Sequence, residues 1–533
     1  MIVYLLPAIW TRVFSSQEMN REIITKKFAS FEETHKVDTF KLYGINVWPI
    51  IRIKVSLAVA TKLTGFYSTS NQTQTVNKRH QPFSIIEKIN DQVHNLKINL
   101  IQKYQKNKNK RLLYKTWTTH GWPSPTKKCD VVILTYPNRL IKYDSIYYHT
   151  LIDPLVEKLG RKKIPYVVWE RSGSINPRIY QPSRISELLE IEFQDACKKF
   201  SVTYPSPSWF EDFASWAEKE LGFAVHWENM IHMIRQIVAY SAIMQKWLAK
   251  TECKTVVTDC WYNIESMAAI LAASRLGIRS IDFQHGLQGD GHFAYSSWKN
   301  TPAGGYALRP DRYWVWSRDE KNTLMDCNSD ITSSESIMIG GNLWLNKWIH
   351  QSDPEIKKQI GKANQLTGNF SKVLLVTLQT GINLEDLLIP AIQDSPPDWL
   401  WLIRVHRQTM DAFDSYEKKY ANLNHAGVNV SDATRLPLYT LFHIADIHIT
   451  GYSTCAIEAT AFHVPTILIH PSGKSAFQKY IDHNMMMYAD RHDAILNAVD
   501  SLSRIDQSIR KESADNLLNA IEQEDKAIQW LVQ

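Results

Sequence analysis

The chain has 533 residues, 44% of them hydrophobic and 22% charged, with a formal net charge of +7 at pH 7. This length predicts two large domains, and this composition is typical of a globular protein and excludes a disordered or fibrous one. The charge excess is too small to indicate a nucleic-acid partner, and no run of 18 apolar residues predicts a membrane-spanning helix.

The cysteines are scattered along the chain, at positions 129, 197, 253, 260, 327 and 455. No two of them form a Cys-x-x-Cys pair, so we expect neither a zinc site nor a disulfide framework, but a reducing, cytoplasmic location. The first ten residues, MIVYLLPAIW, contain no basic region and no small-residue cleavage site, and we therefore expect no signal peptide.

Residues 1–128 precede any regular pattern of strands and helices and are predicted as a separate, helical and basic segment. Its apolar stretch 45–63 carries three basic residues, which is typical either of a helix lying on anionic lipid or of a helix packed in a domain. We favour the packed helix. The stretch 92–129 has many lysines and no acidic residue, which indicates either a solvated linker or a contact with an anionic membrane surface or glycan.

From residue 129 onward, buried strands alternate with helices. A first series of strands comprises VVILTY (131–136), IPYVVWE (164–170), KTVVTD (254–259) and IRSIDFQ (278–284). A second series comprises KVLLVTLQ (372–379), WLWLIRV (399–405), DIHIT (446–450) and VPTILI (464–469). Such alternation predicts parallel sheets with right-handed crossovers. We therefore predict an α/β fold with two Rossmann-like, doubly wound domains, 129–335 and 336–533, that face a cleft.

A pair of hydroxyl side chains marks the start of a helix in the second series. Ser453 and Thr454 follow the strand DIHIT and precede CAIEATAF, which has the apolar spacing of a helix. Hydroxyls and free N–H groups at such a point favour a phosphate, although Ser453 could equally be an ordinary N-cap. Glu458, one turn further, is predicted either to accept hydrogen bonds from ribose hydroxyls or to stabilise the first helical turn.

Basic side chains stand at the end of a neighbouring strand. In WLIRVHRQ, Arg404 and His406 are candidates to bind a diphosphate or phosphodiester, with His406 donating a hydrogen bond. The alternative for His406 is an ordinary surface histidine.

The first series supplies three candidates for catalysis. His285 begins the glycine-rich loop HGLQGDGH directly after a strand, where glycines allow a close approach to a ligand. Asp259 ends the strand VVTD and Glu170 ends YVVWE, so both carboxylates should lie at the same edge of the sheet. Each could serve as general base or nucleophile, or be an ordinary cap or salt-bridge partner.

Several familiar motifs are absent from the chain. There is no Walker A sequence and no GxGxxG fingerprint, which argues against an ATPase or a dehydrogenase. There is also no Asp-x-Asp, a motif with which many sugar transferases hold a divalent ion on the diphosphate. We therefore expect no metal and no resident cofactor.

The set of motifs resembles bacterial GT-B glycosyltransferases of capsule and lipopolysaccharide biosynthesis, which include CMP-sugar-dependent Kdo- and sialyltransferases. The motifs in order are QHG (284–286), IGGN (339–342), IRVHR (403–407), the Ser-Thr pair, IEA (457–459) and VPTI (464–467). The resemblance covers about residues 129–500. It matches His406 to a phosphate-binding histidine and the pair Ser453 and Thr454 to a phosphate-binding hydroxyl motif. Two departures are Arg407, where proline is usual, and His463, where many relatives have a glycine with positive φ, which His tolerates better than most residues.

This resemblance implies a metal-independent glycosyltransferase that builds a surface polysaccharide at the cytoplasmic face of the membrane, as a peripheral protein. The expected donor is a nucleotide sugar, with CMP-Kdo as the best guess, and the expected acceptor is an oligosaccharide or lipid-linked glycan. Two alternatives are a nucleotide-sugar 2-epimerase of the same two-domain plan and a non-catalytic glycan-assembly subunit.

Overall fold

The computed structural model describes residues 21–63, 123–143, 145–171, 178–200, 204–286, 288, 291–328, 334–351, 353–482, 484–518 and 523–533. The strands in these ranges, numbered in chain order, are β1 (Lys41–Leu42), β2 (Ile45–Asn46), β3 (Val131–Thr135), β4 (Leu140–Tyr143), β5 (Ile146–His149), β6 (Tyr166–Glu170), β7 (Ser183–Arg184), β8 (Thr255–Thr258), β9 (Arg279–Phe283), β10 (Arg312–Val315), β11 (Ile337–Ile339), β12 (Lys372–Thr377), β13 (Trp399–Arg404), β14 (Val428–Asn429), β15 (Ile447–Thr450), β16 (Thr466–Leu468) and β17 (Met486–Tyr488).

The α-helices connect and cover these strands. Those of the first half are Arg21–Thr34, Trp48–Leu63, Asp153–Arg161, Ile185–Lys199, Ser208–Leu221, Trp227–Thr251, Ile264–Leu276 and Arg318–Asp326. Those of the second half are Leu343–Ile349, Pro354–Thr367, Glu385–Asp394, Phe413–Ala421, Ser431–Arg435, Leu438–Phe442, Cys455–Thr460, Pro471–Ala476, Gln478–Asp482, His492–Ser503, Gln507–Leu518 and Glu524–Trp530. No helix in the described part of the chain is both long and apolar enough to cross a bilayer.

The first large sheet has seven parallel strands in the order β11-β10-β9-β8-β3-β6-β7. The inner strand β3 is buried along its whole length, because helices cover both faces of the sheet. From β3 the chain runs outward through β6 and β7, and then returns to build β8 to β11 on the other side of β3. The order of the strands therefore reverses between β3 and β8.

The second sheet repeats this plan with six parallel strands, in the order β14-β13-β12-β15-β16-β17. Its order reverses between β12 and β15. The two sheets with their helices are two Rossmann-like, doubly wound domains that face a cleft, which is the GT-B arrangement. The predicted fold class is confirmed.

Residues 21–63 pack against the first domain. Phe28 and Trp48 are fully buried, and the ring of Phe28 lies 6.3 Å from that of Phe213 in a later helix. Arg52, one of the basic residues of the stretch 45–63, is also fully buried. This stretch is thus the packed helix that we favoured. Residues 92–122 of the basic stretch 92–129 lie outside the described residues. Its contact with an anionic membrane surface stays a prediction.

The chain crosses between the two domains more than once. Strand β11 pairs with β10 in the first sheet. The last helix, Glu524–Trp530, also returns to the first domain, where the carbonyl of Leu531 accepts a hydrogen bond from Thr255 Oγ1 at 2.6 Å. Both elements belong to the first domain by their packing, whereas the predicted division placed them within 336–533.

Candidate functional site

The strand order locates a ligand site in each domain. Ligands of doubly wound sheets bind in the crevice outside the carboxyl ends of the strands, where the strand order reverses. In the first sheet this point lies between β3 and β8, and Asp259 directly follows β8. In the second sheet it lies between β12 and β15, which are followed by Gln379 and by the Ser453–Thr454 pair.

Loops beyond the strand ends of the two sheets approach each other. A Cβ atom placed on Gly286, in the loop after β9, would lie 3.8 Å from Cγ2 of Thr454 in the second domain. A second contact between the domains is the ion pair of Lys479 Nζ with Asp319 Oδ2, at 2.9 Å. The loop that carries His285 therefore lies close to Thr454, one of the two hydroxyl residues predicted from the sequence.

Asp259 is a buried acid with one unused oxygen. Its Oδ2 accepts hydrogen bonds from Thr135 Oγ1 at 2.6 Å and from the Tyr136 amide at 3.4 Å. Its Oδ1 is buried and has no hydrogen-bond partner among the described residues. Burial raises the pKa of Asp259 to about 6, although the hydrogen bond from Thr135 and the charge of Arg139 oppose the rise. An acceptor atom of this kind is suited to a ligand hydroxyl.

His285 is held by the first domain as a neutral imidazole. Its Nε2 lies 3.1 Å from the hydroxyl of Tyr262, and its Nδ1 is buried without a partner among the described residues. Burial lowers the pKa of His285 to about 3, and the charge of Arg139 adds to this effect. A neutral ring near pH 7 can donate or accept a hydrogen bond, but its low pKa makes it a weak proton acceptor.

Glu170 lies at the same sheet edge but is engaged in an ion pair. It is aligned with Thr135 on the neighbouring strand β3, as expected for strands that end together. Its Oε2 accepts a hydrogen bond from Arg178 Nη1 at 2.8 Å, and Nη2 of the same arginine lies 3.3 Å from Asp153 Oδ1. Because all three side chains are nearly fully buried, this is the environment of a structural ion-pair cluster.

In the second domain, the hydroxyl pair stands at the predicted strand-to-helix junction. Ser453 Oγ accepts a hydrogen bond from the Cys455 amide at 3.3 Å, the geometry of the alternative capping role. Thr454 precedes the helix Cys455–Thr460 and makes no capping bond with its side chain. The junction is fixed from β12, because Gln379 Oε1 accepts a hydrogen bond from the Tyr452 amide at 2.6 Å.

The two basic candidates after β13 have different surroundings. His406 Nδ1 lies 2.7 Å from Thr380 Oγ1, in the loop after β12, so His406 is directed to the reversal point of the second sheet. Arg404 Nη1 instead donates to the carbonyls of Ala433, at 2.7 Å, and Leu436, at 2.6 Å. These bonds stabilise the end of the helix Ser431–Arg435, a structural role that the sequence did not predict.

Glu458 brings a second acid of raised pKa to the cleft. Burial raises the pKa of Glu458 to about 7, while a hydrogen bond from the Tyr439 hydroxyl and the charge of Arg139 oppose the rise. Glu458 thus lies within electrostatic reach of a cation of the first domain.

That cation, Arg139, was missed by the sequence analysis. It ends the short 3-10 turn Pro137–Arg139, four residues after β3, and its Nη2 donates to the carbonyl of His285 at 2.8 Å. The signal was available, since YPNRL places a basic residue just beyond a buried strand, but a single arginine in a turn is common. Among the described residues, no group of three or more His, Cys, Asp or Glu side chains is arranged to hold a metal ion.

We predict that stability falls as pH rises from about 6.5 to 8. Burial raises the pKa of Asp282 and Glu458 to about 7 and that of Glu320 to about 8, so the folded chain holds protons that the unfolded chain releases. The free energy of unfolding should therefore decrease by about 1–3 kcal/mol over this range. Urea unfolding at a series of pH values measures it.

The matched control for this prediction is Glu320→Gln, which removes the group of highest pKa and should flatten the upper part of the pH dependence. Below about pH 6.5 the decrease should become shallower, because three buried histidines have pKa values lowered to about 3 by burial and oppose it (His149, His285 and His448), although burial also raises the pKa of Asp153 and Asp259 to about 6. A free energy of unfolding that rises between pH 6.5 and 8 would contradict the assignment.

No protein-family model matches the chain, and no curated protein shows significant similarity to it. Solved structures with a similar fold include two classes of protein, UDP-GlcNAc 2-epimerases and a wall teichoic acid polymerase. The UDP-GlcNAc 2-epimerase from Neisseria meningitidis, bound to UDP-GlcNAc, is 13% identical with a TM-score of 0.47, covering 75% of this chain and 99% of its own. The wall teichoic acid polymerase TagF is 12% identical with a TM-score of 0.46, covering 84% of this chain and 97% of its own. At such identities the substrate must be inferred from the residues of this chain.

Proposed function

We propose that this protein is a glycosyltransferase that moves a sugar from a nucleotide donor to a growing surface-polysaccharide acceptor. The observation that most supports the proposal is the approach of the two domains beyond their strand ends, where Gly286, in the loop after β9, faces Thr454, in the segment after β15. Each reversal point is a ligand site in its own right, so a cleft between them suits a reaction with two substrates.

The donor would bind to the second domain. His406 and the hydroxyls of Ser453 and Thr454 would donate hydrogen bonds to its phosphate, and Glu458 would accept bonds from the ribose hydroxyls. Arg404 is no longer a candidate phosphate ligand in this proposal, because its guanidinium holds two backbone carbonyls. CMP-Kdo as the donor remains a prediction from the resemblance alone.

The acceptor would bind to the first domain, with Asp259 as its general base. A base works best when its pKa is near the working pH, and a value of about 6 meets this condition better than the value of about 3 for His285. Oδ1 of Asp259 would take the proton of the acceptor hydroxyl. The acceptor oxygen would attack the anomeric carbon while the bond from that carbon to the nucleotide phosphate breaks. This route inverts the configuration of the sugar. Attack by the carboxylate itself would form a covalent adduct and retain the configuration.

One observation favours a nucleotide-sugar 2-epimerase as the second candidate. Asp259 and Glu458 are two acids of raised pKa, one from each domain, and Arg139 acts on both. Moving a proton off and onto a sugar ring needs such an acid and base, and it needs no acceptor.

Nucleotide binding is the first test of the proposal. Thermal unfolding is measured with CMP, CDP, UMP, UDP and their sugar conjugates, since a ligand at 100 times its dissociation constant adds about 2.7 kcal/mol. We expect one nucleotide to stabilise the wild type, and His406→Ala to weaken its affinity about 10- to 150-fold through loss of a hydrogen bond to a charged group. The control is His425→Ala, because His425 precedes β14 and so lies at the amino ends of the strands, away from their carboxyl ends. An unchanged affinity in His406→Ala, with the fold intact, contradicts the phosphate role.

The reaction itself separates the alternatives. The stabilising donor is incubated with and without an oligosaccharide acceptor, and the products are identified by NMR. A transferase gives a new linkage only with the acceptor, whereas an epimerase converts the donor alone. Binding of glycan without any nucleotide affinity would favour the non-catalytic assembly subunit and overturn the proposal.

A further inference from the structure

Arg139 occupies the point where the two domains meet. It stands in the turn after β3, on one side of the reversal point of the first sheet. Its Nη2 holds the carbonyl of His285, and the next residue, Gly286, faces Thr454 of the second domain. The Arg139 guanidinium therefore holds the loop of the first domain that faces Thr454 of the second domain.

The guanidinium of Arg139 forms no ion pair with a carboxylate among the described residues. Its Nη2 donates a hydrogen bond to the His285 carbonyl, which leaves other N–H groups available to a ligand. The acids that its charge acts on are Asp259 and Glu458, whose pKa values are raised by burial to about 6 and about 7. A phosphate could supply the paired anionic oxygens that this guanidinium lacks among the described side chains.

We propose that Arg139 binds the phosphate of the nucleotide donor from the first domain, and so makes the cleft select nucleotides over nucleosides. This inference rests on the proposed function and adds a phosphate ligand from the wall opposite His406 and Ser453. The planar guanidinium is suited to phosphate, because its N–H groups can bind two phosphate oxygens side by side. The donor phosphate would then be held by both domains and would draw the cleft together.

The test compares phosphorylated with unphosphorylated ligands in isothermal titration calorimetry. The full-length wild type, Arg139→Ala and Arg139→Lys are titrated with the nucleotide that stabilises the wild type and with its nucleoside. We expect Arg139→Ala to weaken the nucleotide about 10-fold or more and the nucleoside by less than about 2-fold. Arg139→Lys should give an intermediate loss for the nucleotide, since it keeps the charge but not the paired N–H groups. Circular dichroism checks that each variant is folded.

The matched control is Lys142→Ala, which removes one positive charge from an exposed side chain of β4 and should leave both affinities unchanged. Equal weakening of nucleotide and nucleoside in Arg139→Ala would mean that Arg139 only braces the His285 loop, and would overturn the inference. Unchanged nucleotide affinity in both arginine variants would overturn it as well, while the proposed function stood. Failure of the wild type to bind any nucleotide would overturn the proposed function and this inference together.

Discussion

Replacing Asp259 with asparagine should lower turnover by about 10²- to 10⁴-fold, the range expected when a general base is lost. The change is nearly isosteric, and the asparagine oxygen can still accept the hydrogen bond that Thr135 donates to Oδ2. In the wild type, the rate should rise with pH and reach half its plateau near pH 6, because the base form of Asp259 appears above its pKa of about 6. The variant should lack this rise.

The control for Asp259 is Asp130→Asn, a half-buried acid directly before β3, at the amino edge of the same sheet. It should keep full turnover. Glu170→Ala and His285→Ala test the other two candidates. Full activity in the Asp259, Glu170 and His285 variants would contradict catalysis by side chains of the first domain. Mass spectrometry of the intact protein with donor alone separates base from nucleophile, since only a nucleophile forms a covalent sugar adduct.

Replacing Arg52 with methionine should lower the free energy of unfolding by about 3–5 kcal/mol, the usual effect of breaking a buried ion pair. Arg52 and Glu32 are both fully buried, and their atoms Nη1 and Oε1 lie 2.8 Å apart. The guanidinium also lies over the ring of Trp298, 4.1 Å from its centroid. Without Arg52, the Glu32 carboxylate would lose its charge partner, and burial already raises the pKa of Glu32. Urea unfolding monitored by fluorescence measures the loss.

An exposed ion pair on Arg21–Thr34, the helix that carries Glu32, provides the control. Lys26 and Glu22 are paired at 2.7 Å, but the lysine side chain is 71% exposed, so Lys26→Ala should change stability by less than about 1 kcal/mol. The double variant Glu32→Leu with Arg52→Met removes both charges and should recover part of the loss. Equal stability of Arg52→Met and wild type would show that the pair carries no net stability.

The secondary structure and the fold class followed from local patterns. Fully apolar runs such as VVILT predicted strands buried on both faces, and the helix Ile264–Leu276 ends at Gly277, whose φ is +67°. His463 has a φ of 61°, as expected for a residue that replaces glycine in a turn. These features depend on neighbours close in the chain, and such interactions can be read from sequence.

The placement of the candidate residues at strand ends also followed from the sequence, because parallel strands end at a common edge. Asp259, His285, His406 and Ser453 were all chosen as residues just beyond a strand, and they lie at the two facing edges. What each side chain does there depends on partners that are far away in the chain.

Tertiary structure alone decided those partners. Arg404 is held by carbonyls 29 and 32 residues away, and Arg139 by the carbonyl of His285, 146 residues away. Burial likewise set the pKa of Asp259 to about 6 and that of His285 to about 3, and so favours Asp259 over His285 as the general base. Periodicity and residue type determine strands, helices and their edges, because these depend on local geometry. Hydrogen-bond partners and desolvation depend on which distant segments pack together, and these emerge only in the folded chain.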